Sequence, residues 1–333
     1  MKGEGIIGAA DTVTKAYIRK NEVFADAFNY FMYDGRQKIQ PEQLRELDST
    51  EIAILLNEKD TKDKTNKEKE ASEQKMVQKY RDLLKTATIM EDGEATYVLL
   101  GIENQTEVHY AMPVRNMLYD AMQYNQQVTE IAEKHKGKKG GKRQQKISTG
   151  EFLSGFYKNN KLIPVITLVL FFNPGEWDGP RSLFDMLDIS NPIFKKYAQD
   201  YKIHIISPKE ILESDLKKFS SSLREVIGCI KYSNDKNKLA AFIQDNPRMN
   251  IEVEAPRVLE VITQTNIKRE EVDDMGNVNM CKAIQEMIQD GRDEGRVQLL
   301  VTLIQSGDIS LQRAAALMNM TPEEFQEKSK MIS

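Results

Sequence analysis

Residues 80–105 read YRDLLKTATIMEDGEATYVLLGIENQ, and the pairing within this stretch sets the architecture of the chain. Two β-prone runs flank Glu91-Asp92-Gly93-Glu94, and Asp-Gly between such runs is the strongest short-range hairpin signal. A turn centred on Asp92-Gly93 puts Asp82 directly opposite Glu103. Opposed residues share a face, with Cβ atoms about 5 Å apart, and Gln105 lies two residues further along that same face. A four-residue turn over Glu91–Glu94 gives the same register, whereas a one-residue bulge breaks it.

On the N-terminal side, the first 35 residues read as helical, with Tyr17, Val23, Phe24, Phe28 and Phe31 near helical spacing and Asp34-Gly35 as the stop. Pro41 restarts a short helix, because proline suits a first helical turn. Residues 58–75 hold six acids and six bases, with one alanine as the sole apolar residue. Such a segment cannot bury a face and reads as a charged insertion.

On the C-terminal side, Pro113 opens a long helix to about Glu133, with Val114, Met117, Leu118, Ala121, Met122, Val128 and Ile131 as its apolar positions. A basic loop, 134–147, follows; it carries seven Lys/Arg between Lys134 and Lys146 and no acid. Leu162–Phe172 (LIPVITLVLFF) then suits a strand buried on both faces of a parallel sheet. Strand, helix, loop and strand form a βαβ unit. A further strand over Tyr201–Ile206 and helices over Phe219–Ile230 and Lys236–Ile243 complete an α/β body. Residues 1–246 therefore read as one domain and 247–333 as a helical region. In the latter, Ser310 and the capping box Thr321-Pro322-Glu323-Glu324 mark helix starts. The stripes Met280, Ile284, Met287, Ile288 and Val297, Leu300, Val301, Ile304 suit amphipathic helices that could pair two copies of the chain.

Composition narrows the function classes. With 333 residues, 40% of them apolar and 29% charged, the chain can bury a substantial core. Its longest apolar run is well short of the roughly 20 residues a transmembrane helix needs. The opening MKGEGIIGAADTV lacks a signal-peptide core, so a cytoplasmic protein is expected. Two cysteines, Cys229 and Cys281, and three dispersed histidines argue against a disulfide framework or a zinc site. A net charge of −4 excludes nucleic-acid coating by global charge but not a local basic patch.

The chemistry centres on Asp82, Glu103 and Gln105. Opposed carboxylates repel unless a cation compensates, and Mg2+ is a hard ion bound by one or two carboxylates plus waters and phosphate. The same pair also suits a strand start and a solvated strand end on a polar sheet face. Glu22 and Asp26 share a helix face and could add a carboxylate. His109, near the end of the site strand, and Trp177, after the buried strand, read first as packing residues, with a proton-transfer or substrate-contact role for the one and a base-stacking role for the other as the alternatives.

The blocks FADAFNYFMYDG, YRDLLK…YVLLGIENQTEVHYAMPVRNMLYDAMQY and EFLSGFYKNNKLIPVITLVLFFNPGEWDGPRSL resemble the Rpn-type recombination-promoting nucleases, also known as PD-(D/E)XK nuclease family transposases. The likeness runs from about Asn21 to about Lys236. It implies an α/β, restriction-endonuclease-like PD-(D/E)XK core, a mixed sheet flanked by helices, with a helical C-terminal appendage. It also implies an Mg2+-dependent DNA endonuclease, with Mn2+ as a possible substitute and DNA as partner. In that pattern Asp82 and Glu103 are the metal ligands, with twenty residues between them, and Asp26 matches an N-terminal acidic block. Gln105 stands where the family pattern has lysine; it can hydrogen-bond but brings no charge. Arg115 and Tyr119 occupy the place of a Q-x-x-x-Y motif, and Arg115 can grip a phosphate. A catalytically inactive DNA-binding or protein-interaction module on the same core is the competing expectation.

Overall fold

The structure, a computed structural model, describes residues 2–47, 82–91, 94–137, 147–246, 250–252, 254–263, 277–279 and 295–332. The charged insertion, Asp92-Gly93, residues 138–146 of the basic loop, and Met280–Ile288 lie outside these residues.

Two helices come first, α1 (Lys2–Ile18) and α2 (Asn21–Tyr33). Tyr17, Ile18, Val23, Phe24, Ala27 and Phe28 are all buried, as their helical spacing predicts. Helix α2 ends where Asp34 adopts a left-handed φ of 55° and Gly35 a φ of 82°. A Cβ on Gly35 would also lie 2.6 Å from the Lys218 carbonyl oxygen, so only glycine fits there. The joint between the helices is fastened by Lys85, whose buried ammonium donates to the Arg19 carbonyl (2.5 Å) and to Asn21 Oδ1 (2.6 Å). Those bonds supply a partner at the end of α1, where backbone carbonyls lack one.

The central sheet has five strands in the order β1 (Arg45–Glu46), β2 (Leu83–Glu91), β3 (Glu94–Gln105), β4 (Val165–Phe171) and β5 (His204–Ile206). The first three are antiparallel neighbours, and β3, β4 and β5 are parallel, so the sheet is mixed. Leu83 pairs with Ile102 and Glu91 with Glu94, which is the register read from the Asp-Gly turn. Helix α3 (Met112–Gly137) and the short α4 (Thr149–Ser154) connect β3 to β4. After β4 come α5 (Pro192–Lys195) and, beyond β5, α6 (Leu223–Tyr232) and α7 (Lys236–Gln244). One sheet face, with Leu83, Leu100, Ile102, Leu168 and Leu170, builds the main core with α1, α2 and α6. Beneath α3 the opposite face carries smaller clusters, Leu84–Leu99–Val165 and Met112–Val169–Phe171–Trp177–Ile203.

Several expectations need correction. The strand expected over 201–206 is shorter, because Ile203 N donates to Arg181 O (2.9 Å) and Lys202 bridges Ser182, which draws the first half away from β4. Helix α3 begins at Met112 and runs to Gly137, taking in the start of the basic loop. Its apolar stripe is also not its buried face. Val114 and Leu118 are 40% and 41% exposed, while Asn116, Tyr119, Asp120 and Gln123 are buried against the sheet. The sheet beneath offers Glu103 to Arg115 and Thr167 to Asp120, and these pairings turn this side of the helix inward.

The main core continues past residue 246. In α8 (Glu254–Thr263), Ala255, Val258 and Leu259 join it. Strands β6 (Asn250–Glu252) and β7 (Asn277–Asn279) pair separately. Helix α9 (residues 295–305) packs with α10 (Leu311–Leu317) and α11 (Pro322–Ile332) in a small core of Val297, Leu300, Ala314, Ala315 and Phe325. Ser310 accepts from Arg313 N (3.2 Å), and Thr321 and Glu324 cap each other's backbone at 3.2 and 2.8 Å. Among the described residues no helix is long and apolar enough to cross a membrane.

Candidate functional site

Four of the residues singled out from the sequence meet at one end of the sheet. Asp82 immediately precedes β2; its Oδ2 accepts from Asn104 N at 2.9 Å and its Oδ1 pairs with Lys15 Nζ at 2.9 Å. Glu103 lies near the end of β3 with no exposure at all, and Arg115 Nη2 reaches its Oε2 at 3.2 Å. Arg115 Nε donates to the Tyr119 hydroxyl (3.2 Å), and the guanidinium lies 5.7 Å from that ring's centre. The ladder stops at Leu83, one residue short of Asp82, so the shared face expected of an opposed pair is not kept: Asp82 is approached by α1 and Glu103, from the other side of the sheet, by α3. Gln105 ends β3, opposite Phe171 of β4, with its side chain partly accessible.

The charges are mutually coupled. Burial pulls the Arg115 guanidinium down, but the Glu103 carboxylate, Tyr119 and the Asp82 carboxylate together raise it above its ordinary value. Burial and then the Glu103 charge push the Tyr119 phenol up. Lys15 loses some basicity to burial and regains more from Asp11 and Asp82, ending raised. His109 is lowered by burial and by Arg115, which favours the neutral imidazole.

Asp26 is not part of this constellation. It is wholly buried in α2 and accepts from the backbone and hydroxyl groups of Ser220 and Ser221 at 2.7–3.0 Å. Those serines lead into α6, so Asp26 joins two helices of the core and does not serve as a third ligand. Glu22 lines a groove beside Ser220–Ser222, away from the sheet end. Among the described residues no three His, Cys, Asp or Glu side chains are grouped to hold a metal ion.

Sequence reasoning missed Lys15, Thr14 and Asn104. Asn104 Nδ2 donates to Thr14 Oγ1 at 2.5 Å, tying the end of β3 to α1 beside Lys15. Asp11 and Lys15, four apart and 2.7 Å from each other, look in sequence like an ordinary surface pair on one helix. Only the tertiary placement of α1 against the hairpin gives Lys15 its second carboxylate. His109 Nδ1 and Trp177 Nε1 are buried without a hydrogen-bond partner among the described residues. No family model, no curated protein and no solved structure matches the chain.

Proposed function

We propose that the chain is a metal-dependent DNA endonuclease of the recombination-promoting nuclease and transposase type, built on a PD-(D/E)XK-like core. The observation that carries this reading is the open end of the hairpin, where Asp82 accepts from the backbone N–H of Asn104, the residue that follows the fully buried Glu103. The order of elements, helix, three-stranded antiparallel meander, helix and strand, supports it as well. The donor set fits a hard divalent cation: two carboxylates from neighbouring strands are what Mg2+ uses when waters and a phosphate oxygen complete its shell. Asp82 and Glu103 would hold Mg2+, or Mn2+ in its place, and the bound ion would supply an acidified water and charge compensation at the phosphate.

The remaining steps belong to the chain's own side chains. Arg115 is held toward Glu103 with Tyr119 against its Nε, and its forked donors can transfer to a phosphate oxygen. Gln105 orients the attacking water by hydrogen bonding. Lys15 supplies, from α1, the positive charge that Gln105 cannot bring to this end of the sheet.

A second reading draws on the same geometry. Lys15 and Arg115 already neutralise the two carboxylates, and Gln105 stands in the lysine position, which favours a DNA-binding module without turnover. The experiment is plasmid nicking with Mg2+, with Mn2+ and in EDTA, by wild type, Asp82→Ala and Glu103→Ala. The nuclease reading expects metal-dependent nicking by the wild type and at least a 100-fold loss, on the order of what one catalytic group supplies, in both variants. Nicking undiminished in both variants removes the site assignment. Binding without nicking in every condition selects the second reading.

A further inference from the structure

The buried stripe of α3 runs Met112, Asn116, Tyr119, Asp120, Gln123, and only its first member is an aliphatic residue. Asp120 is well supplied, accepting from Thr167 Oγ1 at 2.7 Å and from the Tyr201 hydroxyl at 2.5 Å. Asn116 is different. It has no exposure, and neither its Oδ1 nor its Nδ2 has a hydrogen-bond partner among the described residues. A buried amide with both ends unmet carries a desolvation penalty that a leucine in its place would not.

Its location points to a reason for keeping it. Helix α3 runs antiparallel to β4: Met112 clusters with Val169 and Phe171, Asp120 meets Thr167, and the Tyr124 hydroxyl accepts from Val165 N. Asn116 lies one helical turn, about 5.4 Å, before Asp120, which brings it to the level of Val169. In the sheet, Val169 is the register partner of Glu103. Arg115 pairs with Glu103, and Tyr119 feels its charge, so the residues on either side of Asn116 along the helix already address that carboxylate.

We infer that Asn116 is a positioning residue of the Glu103 site, whose amide holds a water in the hydration shell of the divalent cation bound by Glu103 and Asp82. The inference rests on the metal reading of that pair. An amide brings two donors and an acceptor without adding charge. Mg2+ and similar ions keep several waters, and the groups that hold a metal's outer partners tune its affinity.

The test pairs thermal melting in EDTA with calorimetric titration of Mn2+, on wild type and Asn116→Leu, with Asn116→Ala carrying the affinity measurement alone. Asn116→Leu is expected to melt about 2 °C or more above wild type in EDTA, because the unmet amide is gone. Both variants are expected to bind Mn2+ about 10–100-fold more weakly. A lower melting temperature for Asn116→Leu overturns the inference, since the amide then has a structural partner. Unchanged Mn2+ affinity in both variants overturns it as well while leaving the metal reading intact. A wild type that takes up no Mn2+ removes the metal reading and this inference together.

Discussion

Among the described residues two carboxylates have no exposure at all, Asp26 and Glu103, and their surroundings differ in kind. Asp26 is received by neutral donors, the backbone N–H and hydroxyl groups of two consecutive serines at the entry to α6. Such donors are fixed in place by the chain and cannot be exchanged for an incoming ion. Glu103 is met by a guanidinium on a different helix, and that side chain keeps 28% exposure. Arg115 can swing toward another anion, so the Glu103 charge is held by something movable. Burial of an acid therefore says little about its role. What separates a structural carboxylate from a functional one here is whether its partner is fixed or exchangeable.

Replacing Asp26 should have the largest effect on stability. Asp26→Ala leaves two backbone N–H groups and two hydroxyls without their acceptor, at a cost of roughly 3 kcal/mol or more. The expected result is a clear fall in the urea midpoint with the slope unchanged, and partial recovery in Asp26→Asn. A loss below about 1 kcal/mol would mean that water replaces the carboxylate easily, and the contrast with Glu103 would disappear.

Glu103→Gln sharpens the comparison from the other side. The amide keeps the shape and removes a buried charge, and Arg115 can turn to solvent, so stability should stay within about 1 kcal/mol of wild type. Mn2+ binding, read by calorimetry, should vanish in the same variant. If Glu103→Gln destabilised the protein as much as Asp26→Ala, Glu103 would be a structural acid, and the site would lose its central ligand.

The contrast between what the sequence discloses and what it conceals follows the range of the interactions. The hairpin register was legible because an Asp-Gly turn and flanking alternation are local, and the ladder from Leu83–Ile102 to Glu91–Glu94 follows from them. Caps at Ser310 and Thr321 were legible for the same reason. The orientation of α3 was not. Val114 and Leu118 make an apolar stripe that reads as the core face, yet the sheet presents Glu103 and Thr167, and Arg115 and Asp120 pair with them instead. The role of Asp26 was hidden likewise, since its partners lie 194 and 195 residues away. Lys15 reads as half of a surface pair until α1 is placed against Asp82.

The smallest effect concerns acid, and it separates the two faces of the sheet. His109, near Arg115 on the α3 side, is lowered from 6.5 by burial and by that positive charge. His204, largely exposed but with its ring against Phe31 of α2 at 5.0 Å, is lowered by partial desolvation, with Asp120 opposing, and solvent screening makes its share the smaller of the two. In each case the unfolded chain takes up its proton first as the pH falls. The stability contributed by each neutral imidazole is therefore complete above pH 6.5 and is lost as the pH drops through the folded-state value. His109→Gln and His204→Gln should each flatten part of the decline in denaturation midpoint below pH 6.5. Since the two rings sit on opposite faces without a shared partner, the flattening in the double variant should equal the two single effects added, within about 0.5 kcal/mol. A larger departure would mean that the faces communicate through β4 and β5, and the environments of Asp26 and Glu103 could no longer be treated as independent.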